Sequence, residues 1–168
     1  MDFLELVKKR YSVRAYKHTL VENEKIQQVL EAARQAPTAA NFQPFKLIVI
    51  HTKGKEGELR DIYNADWFVQ APLLICACGI RDQAWVRRLD NKSYCDIDVA
   101  IVMDHLILAA TELGLGTCWI GAFNAERAKE ILDIPNGMEP LIFTPIGYPD
   151  DKPRIKKRKS LDLLVQYQ

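Results

Sequence analysis

Hydrophobic and polar positions along this chain fall into segments of different period. In NEKIQQVLEAARQAP, Ile26, Val29, Leu30 and Ala33 recur at i, i+3, i+4 and i+7, which predicts an amphipathic helix that Pro37 ends. Two runs of strand length follow: PFKLIVIHT, closed by the breaker KGKEG, and PLLICACGI, read as the central strand. The stretch DIDVAIVMDHLILAATELGLG opens on capping-type aspartates and stops at Gly114. It predicts a helix of roughly 17 residues over 96–113, apolar on more than one face and therefore buried, with a subunit interface as one such setting. A strand TCWIGAF, a short helix NAERAKEIL capped by Asn124 and a strand PLIFTPIGY complete the pattern. The segment 81–94, RDQAWVRRLDNKSY, is polar and aperiodic and reads as a candidate mobile flap, while the tail SLDLLVQY is apolar.

Helices and strands alternate at uneven spacings without a βαβ period, which favours an α+β fold with a mixed sheet over a doubly wound one. The 168 residues suit one domain, 1–168. The start MDFLELVKKR lacks the basic-then-apolar order of a secretion signal, and no uncharged apolar run reaches membrane-spanning length, so the expectation is a cytoplasmic protein with no membrane partner. Cys76, Cys78, Cys95 and Cys118 form no C-x-x-C pair, and three of them sit in or beside apolar runs. They read as buried thiols rather than as metal ligands or disulfides.

A net charge of +1 argues against a general nucleic-acid surface, yet the charge is unevenly placed. From Lys152 to Lys159, six of eight residues are basic, while Lys8, Lys9, Arg10, Arg14 and Lys17 crowd the opposite end. Should the two ends meet, they form one cationic pocket. Within KRYSVRAY, Arg10, Ser12 and Arg14 take alternate positions of an extended stretch, an arrangement suited to an anion.

Other templates fit poorly. GLGTCWIG follows a helix and precedes a strand, the reverse of a dinucleotide fingerprint, so Gly114 and Gly116 read as a helix stop and a tight contact. The serines lack a nucleophile-elbow context, and His18, His51 and His105 are scattered. Asp96 and Asp98, two apart at a helix start, point in different directions and read as capping and helix-dipole residues. In APTAANFQPF, Asn41 and Gln43 lie among small residues just past a helix end; their donor-plus-acceptor edges match a planar ligand, with turn chemistry the equal alternative.

Taken in order, four stretches resemble the nitroreductase-like flavin enzymes, and the resemblance spans nearly the whole chain. Arg10, Ser12 and Arg14 match R-x-S-x-R. Ala36 to Phe45 match A-P-S/T-x-x-N-x-Q-P-W, with Phe45 in place of tryptophan. Leu113 to Gly121 match L-G-L-G-T-C-W-I-G, and Gly147 to Lys159 match G-Y-P-x-x-x-P-x-x-K-x-R-K. The resemblance implies a homodimer around a mixed, mainly antiparallel sheet flanked by helices, with an FMN in each of two interface pockets. Arg10, Ser12 and Arg158 would hold the FMN phosphate, and Arg14 would reach the N1/O2 side of the ring, where reduction places negative charge. Thr38, Ala39 and Asn41, with Gln43 close by, would reach the neighbour's flavin; Ile120 and Gly121 would offer backbone groups near N5; Asn64 aligns with an amide that some members set on the pyrimidine edge.

The activity this implies is hydride transfer from NADH or NADPH through FMN to a nitroaromatic, quinone or other electron-poor small molecule, with Arg14 and Gly121 at the chemistry. Reductive dehalogenation or flavin fragmentation, known among relatives of the same fold, is the second reading, and polyanion binding by the basic tail without catalysis is the third. The chain lacks the long insertions that cover the flavin in many members, so the acceptor stays open.

Overall fold

The structure, a computed structural model, describes residues 2–168. Strand β1 (Phe45–His51) pairs with β2 (Leu73–Ile80), β2 with β6 (Met138–Gly147), and β6 with the two-residue β5 (Gly116–Thr117), every pair antiparallel. One parallel bridge, Ser12 to Thr117, makes the arrangement mixed, as the sequence predicted.

β2 is central because both of its faces are apolar, so neither tolerates water. Leu73, Ile75 and Ala77 point into one core and Leu74, Cys76 and Cys78 into another. The first core is closed by α2 (Asn23–Arg34), through Val29 and Ala33, and by α5 (Cys95–Glu112), through Val99, Val102, Met103 and Leu106. The second is closed by α3 (Glu56–Ile62), α4 (Asp66–Gln70) and α6 (Ala125–Ile131), with Leu59, Ile62, Phe68 and Ala128 packed on Phe143 and its neighbours. Truncating a fully buried side chain such as Leu106 to alanine would cost about 2–5 kcal/mol.

Several expectations need adjustment. The long helix begins at Cys95 and ends at Glu112, with Gly114 at φ 77° as the left-handed stop. TCWIGAF is a strand only at its first residue: Cys118 N–H bonds the Thr144 hydroxyl at 3.2 Å instead of a ladder carbonyl, and the chain touches β6 again only at Ile120. The segment 81–94, aperiodic in sequence, carries a short hairpin, β3 (Val86–Arg87) with β4 (Lys92–Ser93). Trp85 packs edge-on against Tyr94 with ring centroids 4.8 Å apart, and Arg87 pairs with Asp90 at 2.5 Å. Three helices lie outside the sequence expectations: α3, α4 and α1 (Phe3–Lys9), the last of which is capped by Asp2 and buries none of its residues.

Candidate active site

The chain ends do meet. After α1 the backbone runs extended along the sheet edge, where Val13 N–H donates to Thr117 O at 2.9 Å and Tyr16 bridges Pro149. The antiparallel bridge at Pro149 leads the C-terminal segment back over the N-terminal one. Asp151 then clasps both: its Oδ1 accepts from the Tyr11 hydroxyl at 3.0 Å and its Oδ2 from the Arg14 backbone N–H at 2.8 Å. Burial, then the hydrogen bond and charge of Asp151, push the Tyr11 phenol up to about 12.

Between these segments lies a cavity of about 210 Å³ whose lining includes Arg10, Ser12, Arg14, Asp151, Lys156 and Arg158. Both oxygens of its one carboxylate are engaged by Tyr11 and the Arg14 backbone. Among the described residues, Arg10, Arg14 and Arg158 have no ion-pair partner, so the cavity carries uncompensated positive charge. Lys156 registers it: desolvation, then Arg10 and Arg158, lower its pKa. A phosphate dianion is the complement such a donor set asks for.

A second cavity, about 120 Å³, is lined by Tyr63, Trp67, Cys118, Trp119, Ile120, Gly121 and Ala122, and again by Arg14. Arg14 is thus shared between an anion-binding cavity and an aromatic one. Its guanidinium lies 5.9 Å from the Trp67 ring centroid and makes only a long 3.5 Å contact with Ser12 O, so its donors stay available. The Cys118 thiol is pushed up by burial, against opposing contributions from Arg14, Ser12 and Arg10. A raised thiol pKa leaves it protonated at neutral pH.

The expectation for Ile120 requires correction. Its N–H donates to Phe143 O at 2.9 Å and its C=O accepts from Phe143 N–H at 3.0 Å, so its backbone is committed to the sheet. Gly121, the next residue, is exposed and has open space where a Cβ would stand.

The structure brings Arg10, Ser12, Arg14 and Arg158 together at one cavity, and Arg14, Ile120 and Gly121 at the other. Thr38, Ala39, Asn41 and Gln43 line neither; they form a loop around a short 3-10 turn, Ala39–Asn41, after α2. Asn64 is exposed beside Tyr63 and also lines neither. Sequence reasoning missed Asp151, Tyr63 and Trp67. Asp151 had a readable signal, an acid directly before a basic run; the aromatic pair lay in a stretch without recognisable period.

The chain is thus a layered α+β domain in which Arg14 lines both a cationic and an aromatic cavity. The family model described as "Nitroreductase family" matches residues 7–67 and 56–148, and the chain belongs to that family. A crystal structure of a nitroreductase family protein from Clostridium difficile 630 shares 42% identity and a TM-score of 0.92, covering 100% of this chain and 99% of that one. The FMN reductase [NAD(P)H] of Bacillus subtilis is 28% identical over 88% of this chain and 66% of its own length. An NADPH-dependent oxidoreductase of Staphylococcus haemolyticus is 26% identical over 90% of this chain and 68% of its own.

Proposed function

We propose that the protein is an NAD(P)H-dependent oxidoreductase that works through FMN and delivers hydride to an electron-poor small molecule such as a nitroaromatic or quinone. The observation that carries this reading is the position of Arg14, common to the cationic cavity and the aromatic one. The names of the relatives support the cofactor and the reductant.

Bound FMN would supply the hydride-accepting and hydride-donating centre. The chain's own residues supply binding and charge. Arg10, Ser12 and Arg158, with Lys156 beside them, would hold the phosphate by charge-assisted hydrogen bonds. Arg14 would place a fixed positive charge at the N1/O2 side, where it would stabilise the negative charge that reduction develops. Gly121 N–H would orient the reacting edge. Tyr63, Trp67 and Trp119 present apolar surface to a planar ring.

The amide loop and the apolar surface extend the reading to a homodimer with residues of both copies at each flavin. Phe3 and Leu4 on α1, and Leu161, Leu163, Leu164 and Tyr167 in the tail, are all exposed, an apolar area large for a lone soluble chain. The loop from Thr38 to Gln43, absent from this copy's two cavities, is free to serve the other copy's.

Titration of the purified protein with FMN, followed by an NAD(P)H oxidation assay, tests the function. Saturable binding with a perturbed flavin spectrum and acceptor-dependent NAD(P)H consumption are expected. A protein that binds no FMN, or binds it without oxidising NADH or NADPH, is not this enzyme. Sedimentation at micromolar concentration tests the dimer, which a flavin-loaded monomer would contradict.

A further inference from the structure

Asp98 lies in the first turn of α5 with its side chain turned inward, only 1% exposed. Its Oδ1 accepts the Ala39 backbone N–H at 2.9 Å, across 59 positions of sequence. Its Oδ2 is buried with no hydrogen-bond partner among the described residues. A carboxylate drawn this far out of water for one backbone bond is an expensive arrangement. The helix does not use it as a cap: at the helix start the Ser93 hydroxyl accepts the Cys95 N–H at 3.3 Å, and Asp98 makes no capping bond.

The beneficiary is the loop. Ala40, Asn41 and Gln43 have φ of 51°, 56° and 52°, three non-glycine residues in the left-handed region within four positions. Most of its bonds are internal: Asn41 N–H to Thr38 O at 3.0 Å, Gln43 N–H to the Thr38 hydroxyl at 3.0 Å, and the Gln43 amide to Asn41 O at 3.1 Å. These close the loop on itself but do not attach it to the domain. Its end is fixed where Ile80 N–H donates to Pro44 O at 2.9 Å; its start is fixed by Asp98.

We propose that Asp98 is a positioning residue for flavin binding: by clamping the Ala39 N–H it holds the left-handed loop that presents the Asn41 and Gln43 amides to the flavin ring. The inference rests on the FMN reading given above. It also predicts which part of the ligand is affected. Loop amides address the ring, whereas the cationic cavity addresses the phosphate, so loss of the clamp weakens FMN and phosphate-free riboflavin alike.

The test is equilibrium titration with FMN and with riboflavin of the native protein, Asp98→Ala, Asp98→Asn, Ala39→Pro and Asp98→Ala/Ala39→Pro, each checked by circular dichroism. Asp98→Ala is expected to weaken both ligands by roughly ten- to a hundredfold, the loss of one hydrogen bond to a charged group. Asp98→Asn keeps one acceptor and should stay within about threefold of native. Ala39→Pro deletes the donor at the first position of a 3-10 turn, after an extended Thr38 (φ −128°, ψ 156°) that accommodates a following proline. It should reproduce the alanine defect, and the double variant should be no worse than the worse single. Ala39→Pro carries the test alone if Asp98→Ala does not fold. The proposal is overturned by near-native binding in Asp98→Ala or Ala39→Pro, by an asparagine variant as poor as alanine, or by a loss confined to FMN. A native protein that binds neither flavin removes the functional reading, and this inference with it.

Discussion

Lys156 donates its ammonium to the Arg10 carbonyl at 2.8 Å and also to the carbonyl of Lys8, capping the C-terminal end of the first helix from the far end of the sequence. A cation at a helix C-terminus is favourable. The same ammonium lines the cationic cavity with Arg10 and Arg158, and there burial and its neighbours lower its pKa. One side chain therefore joins the chain ends at the wall of the cationic cavity.

That gives FMN binding an alkaline limb. An ordinary lysine titrates at about 10.4; in the free protein Lys156 loses its proton below that value. A bound phosphate dianion favours the ammonium, so above the free protein's pKa binding must take up a proton, and affinity falls as pH rises through it. Riboflavin shares the ring chemistry but lacks the phosphate, so the FMN-to-riboflavin affinity ratio should fall on the alkaline side. In Lys156→Met the ratio should be lower at neutral pH and should lose this limb. Fluorescence titrations from about pH 7 to 10.5 measure it; a ratio flat across that range removes Lys156 from the phosphate site.

Arg158 gives the complementary case. It has no ion-pair partner among the described residues, and its guanidinium donates to the adjoining Lys157 carbonyl at 3.2 Å. On the proposed reading, replacing it would remove a phosphate contact while disturbing little of the fold. Arg158→Ala should weaken FMN by roughly 1.5–3 kcal/mol, about ten- to a hundredfold, and leave riboflavin unchanged. Equal losses for both ligands would mean that Arg158 acts on the fold instead of on the phosphate.

The elements legible in the sequence were those whose apolar residues face a continuous core. Val29 and Ala33 of α2, and the unbroken run of β2, are buried for the reasons their spacing suggests. The helices α3 and α4 went unread because each buries two residues, Leu59 with Ile62 and Phe68 with Val69, too few to impose a period. The grouping of Arg10, Arg14 and Arg158, which meet at the cationic cavity, was legible because charge clustering at both chain ends is visible without knowing the fold, whereas uncharged Ser12 stood out only by its alternate position between the two arginines. The commitment of the Ile120 backbone to Phe143 was not, since it depends on where the strand leaves the sheet. Asp98 shows the same limit: its spacing from Asp96 correctly implied different directions, with Asp96 paired to Arg81 at 3.1 Å, but not that the loop lay in its path.

Gly116 fixes how closely the extended N-terminal stretch approaches β5. A Cβ there would stand 2.6 Å from Val13 Cγ2, and Val13 is buried with its own N–H on Thr117 O. Gly116→Ala should therefore destabilise the fold by about 1–3 kcal/mol through overpacking. Adding Val13→Ala should recover part of that loss. Urea unfolding of the single and double variants checks it, and simple additivity would mean that the two residues do not compete for space.

Cys118 and Arg14 line the aromatic cavity together and invite opposite mechanisms, one nucleophilic and one electrostatic. Burial is the leading influence on the thiol and raises its pKa, so at neutral pH it is neither a nucleophile nor a charge. Arg14 is exposed, charged and held at its backbone by Asp151, which aims the guanidinium without occupying it. Hydride transfer asks the protein for alignment and for a positive charge where negative charge develops, and needs no side-chain nucleophile. Cys118→Ala should accordingly retain most NAD(P)H-driven turnover. Arg14→Ala should slow single-turnover NAD(P)H oxidation by ten- to a thousandfold, about 1.4–4 kcal/mol of barrier, when measured at saturating FMN so that weaker cofactor binding is not mistaken for slower chemistry. Arg14→Lys, which keeps the charge but not the planar fork, should fall between the two. If stopped-flow traces show the cysteine variant inactive and the arginine variant unimpaired, the charge at Arg14 is not what drives the reaction and the thiol must take part in it.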